Sequence, residues 1–184
     1  MTISLLSRVL LGAGTLLALA GNAHAVTQYL VNQQEGAASI TGYITTNGSV
    51  GNIGSGDMLD WNLVLNDGIS SFTLNHGNSQ IYGPSSWIAS STDLSFDFSG
   101  TGKMALFQNP NIGSGRNYWC LDSSSGGCGG AYSASDWRVN GALVVHQYIG
   151  VQSIAHAVPE PATYAMLGAG LGLLGFAARR RKQA

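Results

Sequence analysis

The stretch Asp60-Trp61-Asn62-Leu63-Val64-Leu65-Asn66-Asp67-Gly68-Ile69-Ser70-Ser71-Phe72-Thr73-Leu74 decides the fold. Trp61, Leu63 and Leu65 alternate with polar or smaller residues, the two-residue period of a strand with one face buried. Asp67-Gly68 reads as the turn of a hairpin, because both central residues of a type I′ turn need positive φ, which Asp tolerates and Gly accepts freely. The same alternation recurs downstream, where Leu94, Phe96 and Phe98 share one face and Asp93, Ser95 and Asp97 the other. Further strand candidates are Ile40 to Thr46, Met104 to Phe107, Asn117 to Cys120 and Ala142 to Ile149. Gly, Asn, Asp and Ser interrupt these runs at short intervals, and no central window sustains a 3.6-residue apolar period. Residues 26–157 therefore read as one mainly β domain, an antiparallel β-sandwich or jelly-roll-like fold.

The two ends have a different character. Arg8 precedes the apolar run Val9 to Ala20, and Ala23-His24-Ala25 follows it. Small residues at Ala23 and Ala25 suit signal peptidase, so residues 1–25 read as a signal peptide cut before Val26. At the other end Ala162 to Ala178 is a 17-residue stretch without a charge, closed by Arg179, Arg180, Arg181 and Lys182. This is the lower limit for a single transmembrane helix. The basic cluster acts as a stop-transfer signal that stays in the cytoplasm, leaving the β domain on the far side. Before this stretch stands Val158-Pro159-Glu160-Pro161, in which each proline biases its neighbour toward extended backbone that a protease grips.

Pro159, Glu160 and Pro161, the apolar stretch and the basic end together resemble a PEP-CTERM sorting signal across Val158 to Ala184. Ala162-Thr163-Tyr164-Ala165 and the glycine-rich Leu167 to Gly175 also match that family's wording. The resemblance implies export in a Gram-negative bacterium, passage through the inner membrane and processing near the motif by an exosortase. It further implies delivery to the cell surface or the extracellular medium, in organisms that often build a polysaccharide or biofilm matrix.

Charge bounds the partners of the domain. Between the two ends Lys103, Arg116 and Arg138 stand against eight of the nine acids, a net charge of −5. That is a poor footprint for a polyanion, so no nucleic-acid partner is expected. Cys120 and Cys128 form an even pair in an exported chain and are expected to close a disulfide. No cofactor is implied. No metal-binding motif occurs either, although Asp57 and Asp60 read as a simple capped turn or, less well, as calcium ligands.

Catalytic motifs are also missing from the linear sequence. His76, His146 and His156 have no recognisable partner, and Asp93 and Asp97 lie about 13 Å apart by strand rise, too far for a glycosidase pair. The remaining clue is aromatic. Tyr82, Trp87, Tyr118, Trp119, Tyr132 and Trp137 sit among Gly, Ser and Asn, where rings either pack the sandwich or stack on sugars. A stacking role falls on Trp87, Trp119 and Trp137. The reading is thus a non-enzymatic, structural or adhesive protein of the matrix. A polysaccharide-binding module that stacks glycan on those tryptophans is the alternative, and a secreted hydrolase is a weaker one.

Overall fold

A computed structural model describes residues 26–83, 86–109, 117–124, 128, 132–158, 166–174 and 179. Among the described residues thirteen strands form two antiparallel sheets. The larger sheet holds eight: β1 (Thr27–Glu35), β2 (Ala38–Thr46), β3 (Gly51–Ile53), β4 (Met58–Asn66), β5 (Ser71–Asn75), β7 (Trp87–Ala89), β8 (Asp93–Asp97) and β13 (Val151–Ala157). Their order is β3-β7-β8-β13-β1-β2-β4-β5. The smaller sheet holds β6 (Gln80–Tyr82), β9 (Met104–Asn109), β10 (Asn117–Asp122), β11 (Ala134–Val139) and β12 (Ala142–Gln147), in the order β12-β11-β10-β9-β6. Four consecutive strands, β9 to β12, make this sheet mostly a meander, so the topology carries the sandwich expectation rather than a jelly roll.

The alternation in β4 and β8 places residues as the sequence implies. Trp61, Leu63 and Leu65 are buried, as are Leu94, Phe96 and Phe98, while Asp93, Ser95 and Asp97 face outward and are only partly buried. The β4–β5 turn differs from expectation. Asn66 pairs with Ser71, so the loop has four residues. Within it Gly68 takes a φ of +91°, and Asp67 Oδ1 accepts from the N–H groups of Ile69 at 2.8 Å and Ser70 at 2.6 Å. The short side chain at Asp67 organises the turn by hydrogen bonding instead of by positive φ. The two-residue turn with positive φ at both positions lies elsewhere, at Asn140 (50°) and Gly141 (103°), where Val139 pairs with Ala142.

The facing sheets enclose one apolar cluster. Phe107 of β9 lies at its centre, stacked on Trp119 at 5.4 Å between ring centroids and meeting the edges of Trp61 at 5.5 Å and Trp87 at 6.4 Å. Most indole N–H groups buried here find acceptors, although Trp87 Nε1 has none among the described residues. Trp61 Nε1 donates to Ser79 Oγ at 2.8 Å and Trp119 Nε1 to Ser135 Oγ at 2.8 Å. The Ser135 hydroxyl in turn donates across the sandwich to Gln33 Oε1 at 2.8 Å, and Trp137 Nε1 donates to the Asn66 carbonyl of the opposite sheet at 2.9 Å.

Trp87, Trp119 and Trp137 are each 0% exposed, which overturns the expectation that they stack on glycan. Trp119 and Trp137 are cross-strand partners on the inner face, and Trp87 pairs with Phe96 from the same side. Register, not the polarity of neighbouring residues, fixes which way these rings point.

Ala23, Ala25, Pro159, Glu160, Pro161, Arg180, Arg181 and Lys182 lie outside the described residues. Residues 166–174 are helical and exposed, and Arg179 is helical too. Among the described residues no helix is long and apolar enough to cross a membrane, so the expected span over Ala162 to Ala178 is only partly covered.

The packing makes a graded prediction. Leu63→Ala should lower the unfolding free energy in urea by about 3 kcal/mol through the cavity it leaves, whereas Ile69→Ala at the exposed turn should change it by under about 0.5 kcal/mol. Gly42→Ala should be as damaging as Leu63→Ala. Gly42 has a φ of +137°, and a Cβ there would stand 1.9 Å from the Asn62 carbonyl oxygen on β4.

Candidate functional site

Polar chemistry gathers on the outer face of the smaller sheet. Alternation turns Trp119, Leu121, Ser135, Trp137 and Val139 inward, so Tyr118, Cys120 and Asp122 of β10 and Asp136 and Arg138 of β11 must point outward. Register places Cys120 opposite Asp136 and Tyr118 opposite Arg138. Leu143 and Val145 of β12 extend the face beside Arg138 and Asp136. A cavity of about 240 Å³ opens here, bordered also by Tyr132 and Cys128.

The disulfide between Cys120 and Cys128, with 6.4 Å between its Cα atoms, holds Cys128 against this face. It brings the Cys128 N–H to Asp122 Oδ2 at 3.1 Å. Closing a loop of this size restricts the unfolded chain by about 2 to 3 kcal/mol. Asp122 is 1% exposed and Asp136 7%, unusual burial for two carboxyl groups. Burial, and then the charge of Asp122, pushes the Asp136 carboxyl up to about 7, and burial raises Asp122 as well. The Tyr118 hydroxyl donates to Asp136 Oδ2 at 3.1 Å. Burial and the neighbouring Asp136 push that phenol up to about 12, so it remains a donor at any ordinary pH. The Arg138 guanidinium lies 5.5 Å above the Tyr118 ring centre. Cys120, Cys128 and Asp136 approach within the distance of a metal site, but both sulfurs are bonded to each other and a thiolate is what a metal takes.

Other candidates are used locally. Asp57 accepts from Asn47 Nδ2 at 2.7 Å and from the Gly54 N–H at 2.8 Å, and Asp60 accepts from Tyr43 at 3.2 Å. These carboxylates organise a turn and a cross-strand contact. His76 stacks on Trp61 at 4.9 Å, and His146 pairs with Glu35 beside Tyr148. His156 Nδ1 and Ser153 Oγ both meet Asp93 Oδ1, at 2.7 and 2.8 Å. The serine thus spends its proton on the aspartate rather than on the imidazole, so this trio lacks the serine-to-histidine hydrogen bond of an activated nucleophile. Asp97 is held down to about 2 by its hydrogen bond from Lys103, so Asp93 and Asp97 serve separate partners.

A folded sandwich followed by a proline-flanked glutamate, an apolar stretch and a basic end has the layout of an exported protein with a sorting tail. Residues 157–182 match the family described as PEP-CTERM protein-sorting motif, and the chain carries that motif. The motif indicates an exported protein sorted by an exosortase. No curated protein and no solved structure matches the chain.

The sequence did not single out Asp122, Asp136 or Arg138. Their signal was Cys120, since Asp122 lies one strand period beyond it and Asp136 directly across.

Asp136 yields a pH prediction. Its carboxyl titrates near 7 in the folded protein and near 3.9 unfolded, so between these values only the folded state holds the proton. Stability from this group is full below about pH 4 and is lost as pH rises through about 7. Asp136→Asn, which stays neutral, should leave the urea midpoint nearly unchanged near pH 3.5 but raise it clearly near pH 8.

Proposed function

We propose that the sandwich is the working part of an exosortase substrate, with a structural or adhesive role in the polysaccharide or biofilm matrix at the cell surface, and that it acts without catalysis. The observation that carries this is where the sorting motif starts. The match begins at Ala157, the last residue of β13, and the Val158 N–H still bonds the Gln28 carbonyl at 2.8 Å. Cleavage near Pro159 to Pro161 would therefore release the domain without shortening a strand.

In this reading residues 1–25 direct export and are removed before Val26. The stretch Ala162 to Ala178 holds the chain transiently in the inner membrane, with Arg179 to Lys182 on the cytoplasmic side. Signal peptidase and exosortase are the processing partners. The mature domain suits the outside of a cell, being disulfide-bonded and built of antiparallel strands around an aromatic core. A second reading, a polysaccharide-binding module, is favoured by the cavity beside Asp122 and Asp136 rather than by the tryptophans.

The intact mass of the protein from the surface and medium of its native host checks the sorting. A species running from Val26 to a point near Pro159–Pro161 is expected. Recovery only in membranes, with Arg179 to Lys182 retained, would overturn release. For the matrix role, a strain lacking the gene should shed more polysaccharide into the medium, and unchanged retention would count against it.

A further inference from the structure

We propose that the cavity beside Asp122, Asp136 and Arg138 is a subsite for one neutral sugar ring of an extracellular polysaccharide, an inference that rests on the matrix role above. A sugar hydroxyl both donates and accepts. The cavity offers it both halves, with carboxyl oxygens of Asp122 and Asp136 as acceptors and the Arg138 guanidinium as donor. The C–H face of a pyranose needs an apolar wall, and Leu143, Val145 and the ring of Tyr132 supply it.

One orphan group points to a ligand independently. Arg138 Nε is buried without a hydrogen-bond partner among the described residues. Unmet buried polar atoms are rare in folded proteins, and a guanidinium donor on a residue that lines the cavity suits the oxygen of a hydroxyl.

Size and charge narrow the class. The cavity of about 240 Å³ is slightly smaller than the ~300–1,000 Å³ of pockets that take drug-sized ligands, which fits a single ring. Two buried carboxyl groups against one guanidinium disfavour an anionic sugar. Apart from Tyr132, the walls come from three paired strands and a disulfide, which limits the ordering needed on binding.

The full chain, purified in a detergent without a sugar headgroup, would be tested by saturation-transfer NMR with the methyl glycosides of glucose, galactose and mannose, and with glucuronate. At least one neutral glycoside should receive saturation and glucuronate should not. Tyr132→Ala removes a ring that is 64% exposed and should leave the fold intact while weakening affinity about tenfold. Asp122→Asn, with folding checked by circular dichroism, should weaken it at least as much. Absence of any neutral signal, equal binding of glucuronate, or unchanged affinity in folded Tyr132→Ala would overturn the subsite. Failure here while the strain lacking the gene still sheds polysaccharide removes the subsite alone, whereas unchanged retention in that strain removes the matrix role.

Discussion

Phe107 is the residue on which the two sheets close. Its ring stacks on Trp119 of its own sheet and receives the edges of Trp61 and Trp87 from the other. Rings this large bring much apolar area but also an indole N–H, which Trp61, Trp119 and Trp137 satisfy inside the protein while Trp87 Nε1 has no partner among the described residues. The solution sets the register of both sheets. Ser79, Ser135 and the Asn66 carbonyl each stand where an indole points, and Ser135 in turn locks Gln33 of β1. A one-residue slip of β11 would move Trp137 and Ser135 outward and bring Asp136 and Arg138 into the core. The inward pairs therefore also determine which residues can line the outer cavity.

This division explains what was legible in the sequence. β4 and β8 could be read because large apolar residues alternate with polar ones for several positions. β1 and β13 escaped notice because they bury few large side chains. β1 turns Tyr29, Val31 and Gln33 inward, and β13 is shifted in register near Ile154 and Ala155. Gln33 looks like a surface residue until its bond from Ser135 is known. The tryptophans were misread for a related reason. Gly, Ser and Asn around them mark the loops at the strand ends, while Asn117-Trp119-Leu121 and Ser135-Trp137-Val139 carry the period that buries them. The sorting tail was legible because a processing enzyme reads it as linear sequence, so its meaning does not await folding. The acid pair was not legible, since Asp122 and Asp136 come from separate strands and their unusual titration arises only when the sheet and the disulfide remove water from around them.

One feature of the larger sheet bears on mechanics. β13 is a central strand held between β8 and β1, and its last residues lie beside the first residues of β1, Tyr29 opposite Ala157. Both ends of the domain therefore emerge at the same pole. A domain tethered through its C-terminal end and dragged by material bound elsewhere on the sandwich would feel the pull along β13. The ladder hydrogen bonds lie across that direction. Such a load is shared by both flanking ladders at once instead of peeling them apart bond by bond, so the strand nearest the tether is also placed to resist shear.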